Sequence, residues 1–250
     1  MKELPTLFST PMVQAILDGR KTQTRRTKGL EFISEVPFNE GLNKAPYRGR
    51  YDNWYYQLQC AVDASEEFGL KCPYGKIGDI LWVRETFYAY GHWTKTIHEK
   101  TEENGWKSKV EYHFHDLTIS EGKNYFYEDC PPASELICKG RLGLGYFKRP
   151  SIFMPKEACR IRLEITNIRV ERLQDISEED AKAEGVYFYG WDDYHQTDYK
   201  NYSYNDKGMC DDWGVQTAKE SYQTLWESIN GRGSWEKNPW VWVIEFIRIR

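Results

Sequence analysis

The sequence predicts an α+β domain built around a small closed β-barrel with short helices at its side. Three observations predict it. Residues 158–173 alternate well, with Ala158, Arg160, Arg162, Glu164 and Thr166 set against Cys159, Ile161, Leu163 and Ile165, the period of a half-buried strand. Two further runs, Ile80–Phe87 and Trp240–Ile247, are dense in β-branched and aromatic residues. Between the strands lie short helical patterns with their own start and stop signals. The order helix, strand, strand, strand, helix, helix, strand suits a mixed domain with a small barrel.

The elements follow in order. Residues 5–20 enter a short helix: Ser9 or Thr10 can cap it and Pro11 suits its first turn. Met12, Ala15 and Ile16 form its apolar stripe, and Gly19 stops it. A strand begins at the alternating Thr22 and Thr24. Residues 27–72 mix Gly, Asn, Tyr and charge without a sustained period, and read as an insertion with little regular structure. Turn chemistry at Pro73–Asp79 feeds the strand at Ile80. Residues 87–150 read as a second loop-rich insertion with one strand at 109–115. After the alternating strand, Ser177 with Asp180 approximates a capping box, and the helix it opens ends at Gly185. Residues 187–215, rich in Tyr, Asp, Asn and Gly, read as a third, surface insertion. A helix over 217–229 buries Tyr222, Leu225, Trp226 and Ile229, and the last strand is apolar on both faces. The whole chain, 1–250, reads as one domain with three insertions.

Composition narrows the function. The 250 residues are 40% hydrophobic and 29% charged, which favours a folded globule. Ten Trp, 18 Tyr and 11 Phe supply a bulky core and surfaces suited to base stacking. A net charge of −4 disfavours tight binding to duplex DNA, which needs a positive excess. Six cysteines contain no Cys-x-x-Cys pair, so the thiols read as reduced and the compartment as cytoplasmic. His113 and His115 share one face of a strand, but no cysteine lies at zinc-finger distance, so no metal is expected. The N-terminus lacks an apolar leader and no run is long enough to span a membrane.

Four stretches, taken together, resemble the ASCH family, a branch of the PUA-like barrels. They are Ile16–Arg26 with its Gly-Arg-Lys-Thr-Gln-Thr core, Ile77–Val83 with Gly-Asp-Ile-Leu, the strand at 158–170 leading to Asp180–Gly185, and Trp242–Phe246. They fall in the family's order and cover less than half the chain, which looks like the longer members met in phages and bacterial mobile elements. Small members of the family hydrolyse the acyl amide of N4-acetylcytidine with a lysine, a threonine and a glutamate. The resemblance places these roles on Lys21, Thr24 and Glu184, with Glu178 and Glu179 lying close to the last. It implies no cofactor and, as partner, a small nucleoside or a modified RNA.

The chemistry asks for specific surroundings. A threonine hydroxyl attacks a carbonyl only when a base takes its proton. Lys21 serves as that base only when neutral, which burial favours. Positions three apart on a strand face opposite ways, so Lys21 has to curl back from a turn to meet Thr24. Arg25, Arg26 or a backbone N–H near Thr24 are the candidate donors for the oxyanion. Arg25 and Arg26 are also candidate phosphate contacts. Trp82 and Trp240 are the candidate stacking aromatics. Glu85, a charge inside an apolar strand, needs a partner such as Arg84 or Arg160, and is a further candidate for the pocket. The leading expectation is therefore an amidohydrolase acting on N4-acylated cytosine nucleosides. Two alternatives on the same fold are a non-catalytic RNA-binding module and a ribonuclease, and an interaction protein working through its insertions is a further one.

Overall fold

The computed structural model describes residues 1–31, 33, 43–48, 54–60, 64–102, 105–127, 131–136, 143–189, 199–202 and 214–249. The fold is α+β, with strands predominating. The chain divides into two compact units, one made of Met1–Thr6, Pro11–Trp82 and Ile161–Arg250, the other of Leu7–Thr10 and Val83–Arg160.

The larger unit is organised by a five-stranded sheet in the order β1-β6-β10-β11-β2. Its strands are β1 (Glu3–Leu7), β2 (Gln23–Arg26), β6 (Ile80–Arg84), β10 (Arg162–Arg172) and β11 (Trp240–Ile249). β11 is antiparallel to both its neighbours, with Arg25 opposite Val243 and Thr24 opposite Ile244. Trp242, Val243 and Ile244 are fully buried, as expected for a strand apolar on both faces. Helix α1 (Thr10–Leu17) buries Met12, Val13, Ala15 and Ile16. Sealing each of the larger of these side chains from water contributes about 1.5–3 kcal/mol.

Two more helices complete this unit. Ser177 accepts from the Asp180 amide and opens α2 (Glu178–Ala183). Thr217 and Glu220 form a full capping box at the start of α3 (Ala218–Asn230). α3 buries Tyr222, Leu225 and Trp226, whereas Ile229, expected on the same face, is 59% exposed. The next residues turn away at Gly231, whose φ is +94°, so the last helical turn has nothing to pack against.

Three expectations are corrected. The sheet is not closed into a barrel: among the described residues no ladder joins its edges, β1 and β2. β2 is four residues long, and the chain just before it is taken up by α2, because Lys21 bridges Glu184 and the Thr22 amide donates to the Ala183 carbonyl. The segment 27–72 holds an antiparallel three-stranded sheet of β3 (Asn43–Arg48), β4 (Trp54–Cys60) and β5 (Ala64–Leu70). Its strand signal is aromatic content, chiefly Tyr47, Trp54, Tyr55, Tyr56 and Phe68, rather than a clean apolar period.

The segment 87–150 is likewise regular and makes up most of the second unit. β7 (Phe87–Glu102) pairs along one edge with β8 (Gly105–Asp116) and along the other with β9 (Gly145–Arg149). The β7–β8 ribbon carries Thr, His, Lys and Glu on its faces, so no hydrophobic alternation announces it. His113 and His115 do share a face, and His115 stacks on His92 at 5.0 Å. Phe87, Ala89, Met154 and Ala158 form the small core of this unit. The third expected insertion, 187–215, lies largely outside the described residues.

Candidate functional site

The site forms where the turn after α1 meets the end of α2. Gly19, at φ +76°, lets the chain reverse, and Lys21 then forms an isolated bridge with Glu184. Gly185 completes the junction. Its φ is +86°, and a β-carbon there would lie 2.8 Å from Lys21 Cβ and 2.9 Å from Ala15 Cβ. Only glycine allows both the left-handed backbone and so close an approach.

Through this junction Lys21 reaches inward. Its Nζ donates to Glu184 Oε2 and to the Glu184 carbonyl oxygen, each at 2.8 Å. The two side chains are 2% and 3% exposed. Arg25 approaches the same carboxylate, with Nη1 3.1 Å from Glu184 Oε1, and its other terminal nitrogen reaches Asp180 at 2.9 Å and Glu171 at 3.4 Å. Arg169 extends the array outward to Asp180 at 2.7 Å and pairs with Glu171 and Glu245. The cluster therefore runs from a dry end at Lys21 and Glu184 to a wetter end, where Arg169, Asp180 and Glu171 are about one quarter exposed.

Burial sets the protonation behaviour. Loss of water pushes the Lys21 amine below the usual lysine value, and Glu184 only partly offsets this. Burial also works against charge on Arg25, but Glu184, Asp180 and Glu171 outweigh it and hold the guanidinium firmly ionised. Burial opposes the Asp180 charge too, yet Arg169 and Arg25 keep that carboxyl below the ordinary aspartate range. Burial and the Glu184 charge drive Tyr222, which packs 5.9 Å from the Arg25 guanidinium, well above the usual tyrosine value.

An open cavity of about 550 Å³ adjoins the junction, lined in part by Arg20, Thr22, Lys182, Ala183, Phe188 and Tyr199. Thr22 and Ala183 are the chain neighbours of the Lys21–Glu184 pair. The size lies within the range of small-ligand pockets.

The structure thus brings Lys21, Glu184 and Arg25 together. Thr24 is buried between Gln23 and Arg25, both of which reach Asp180, so strand alternation directs Thr24 to the opposite face of β2. The threonine that lines the cavity is Thr22. Arg25 is committed to three carboxylates and has no exposure, so an incoming phosphate does not reach it. Arg26, half-buried, lies opposite Trp242.

Trp82 is half-buried opposite Arg162, and Trp240 is buried beneath the Arg172 guanidinium at 4.4 Å. Neither lines the cavity. Glu85 belongs to the other unit and is held bidentately by Arg160, with both contacts at 2.8 Å. The Gly78–Asp79 pair is spent on backbone: the Asp79 carboxylate accepts from the amides of Lys2 and Lys76 at 2.7 and 3.2 Å.

Sequence reasoning missed Asp180, Arg169, Glu171 and Tyr222. One signal was present, since Asp180 and Glu184 stand four apart on a helix and share a face. Among the described residues no group of three or more His, Cys, Asp or Glu is arranged to hold a metal ion, and no helix is long and apolar enough to cross a membrane. No protein family, curated protein or solved structure matches the chain.

Proposed function

We propose that this chain is an amidohydrolase that cleaves the acyl amide of N4-acylated cytosine nucleosides, in the manner of the ASCH proteins it resembles. One observation carries the reading: a buried lysine amine, lowered in basicity by desolvation, sits 2.8 Å from a buried glutamate. Those are the two residues on which the resemblance places the working lysine and glutamate. The α+β arrangement is compatible with a PUA-like fold whose sheet stays open, and a cytoplasmic location suits a nucleoside substrate.

In this reading neutral Lys21 takes the proton of a hydroxyl, whose oxygen bonds to the acyl carbon. The bond from that carbon to the cytosine nitrogen then breaks, and Lys21 returns the proton to the departing amine. Water releases the acid by the same route in reverse. Glu184 fixes the amine, and Arg25 fixes Glu184. The resemblance assigns the attacking hydroxyl to Thr24, and the cavity offers Thr22.

The test is to incubate the purified protein with N4-acetylcytidine and follow cytidine release by chromatography. Turnover is expected in the wild type and absent in Lys21→Met. Comparing Thr24→Val with Thr22→Val identifies the nucleophile. Absence of turnover in the wild type, or full turnover in Lys21→Met, removes the proposal.

A further inference from the structure

The smaller unit contains a largely buried guanidinium with no acceptor among the described residues. Arg149 ends β9, opposite Phe87 on β7, and is 9% exposed. Its guanidinium carbon lies 4.7 Å from the ring centre of Trp93, 4.4 Å from Phe114 and 4.8 Å from Phe153. Among the described residues it makes neither a hydrogen bond nor an ion pair. The other buried arginine of known partners behaves differently: Arg25 meets three carboxylates. The half-buried Arg160 likewise has its bidentate glutamate.

Ring faces attract the charge of a guanidinium but do not take up the N–H groups that lie in its plane. The rings therefore cover the plane of the group while its N–H edge keeps the remaining exposure, where an incoming acceptor can reach it. Burial accordingly pushes Arg149 below the ordinary arginine value, and the charge of Asp116 offsets this only in part. The Asp116 carboxylate is otherwise engaged, accepting from the Thr118 amide at 3.0 Å and the Tyr125 hydroxyl at 3.2 Å.

The partner that fits a planar fork of donors has two oxygens in one plane, as carboxylate and phosphate do. The walls describe the rest of the ligand. Phe153 is 56% exposed beside the guanidinium, and Tyr112, 58% exposed, precedes Phe114 by two residues on the same face of β8. Uncovered rings flanking an anion-seeking group favour a flat aromatic body.

We propose that Arg149 anchors a binding site for a flat aromatic ligand bearing a phosphate or a carboxylate. This site is independent of the hydrolase reading and stands if that reading fails.

The test is calorimetric titration of the full chain with phenyl phosphate, benzoate, inorganic phosphate and phenol. Saturable binding of phenyl phosphate or benzoate is expected, with phenol weaker by about tenfold or more. The tighter of the two aromatic anions identifies the oxyanion. Arg149→Met is expected to weaken it by at least about tenfold, and Arg149→Lys by less, since a point charge replaces the fork. Phe153→Leu, at an exposed ring, is expected to weaken the aromatic anions while leaving inorganic phosphate unchanged, and this keeps the test decisive if Arg149→Met does not fold. No saturable binding of either aromatic anion up to roughly 10 mM, or binding that neither Phe153→Leu nor a folded Arg149→Met alters, overturns the proposal.

Discussion

Lys21 and Arg25 contact the same buried carboxylate, yet their removal should have very different consequences. In Lys21→Met the amine leaves, but Glu184 keeps Arg25 at 3.1 Å and its charge stays compensated. What is lost is one buried pair that was itself expensive to desolvate, together with one bond to the Glu184 carbonyl. Methionine replaces the apolar stem. The net cost should stay below about 1.5 kcal/mol. Arg25→Met instead removes the partner of Asp180, Glu171 and Glu184 at once from a side chain with no exposure. Each carboxylate keeps another cation, Lys21 or Arg169, but losing three charge-assisted bonds around a fully buried guanidinium should still cost about 2–4 kcal/mol. The double variant leaves Glu184 with no cation and should exceed the sum of the singles by about 1 kcal/mol or more. Urea denaturation reads all three. At about 2–3 kcal/mol per molar, Arg25→Met should move the midpoint by roughly 1–2 M and Lys21→Met by well under 1 M. Equal shifts for the two singles, or strict additivity in the double, would refute the idea that Arg25 alone suffices to neutralise Glu184.

Three further outcomes follow from the same geometry. The rate of N4-acetylcytidine cleavage should rise with pH through the lowered value of Lys21, reaching its plateau below the ordinary lysine value. In Glu184→Gln that midpoint should move to lower pH, because Glu184 holds the amine up; a kcat/KM profile unmoved by the substitution counts against Lys21 as the base. Asp180, whose folded value is depressed, contributes stability that is present above the usual aspartate range and lost as pH falls through the folded value. Melting temperatures from pH 7 down to about 3 should fall less steeply in Asp180→Asn than in the wild type. Gly185→Ala adds a strained left-handed residue and a β-carbon 2.8 Å from Lys21 Cβ. It should cost about 2 kcal/mol or more and lower turnover, whereas Gly122→Ala, also left-handed but in open space, should show only the smaller strain cost and full turnover.

The parts of the fold visible in the sequence were those where side-chain period and burial agree. β10 alternates because one face packs and the other does not, and β11 reads as continuously apolar because both faces are covered. The hidden parts break that link. β7 and β8 form a long ribbon whose polar faces leave backbone pairing as the main source of order, and pairing has no period in the sequence. The open sheet was equally hidden, because closure depends on whether β2 meets β1 or the end of α2, and four residues cannot declare that choice. At the site, Lys21, Glu184 and Gly19 could be named from a short motif and a helix end. Arg169 and Glu171 could not, because their membership depends on β10 crossing beneath α2, a tertiary fact.

The Lys21–Glu184 junction also suggests why a second cation is present. A lone lysine beside a buried glutamate would be held in its charged form, since losing the proton would leave the carboxylate uncompensated. Arg25 changes that balance: it is ionised at any accessible pH and already faces Glu184 Oε1 while Lys21 faces Oε2. Of the two cations on this one carboxylate, only Lys21 can surrender a proton, and burial presses it to do so. Arg25 in turn is stabilised from the wetter end by Asp180 and Glu171, so its charge does not depend on Glu184 alone. The network thus fixes the permanent charge at Arg25 and leaves the variable one at Lys21, beside the wall of the cavity. A base that gives and takes protons, as proposed for Lys21, would draw on this division, because the carboxylate stays compensated when the amine is neutral.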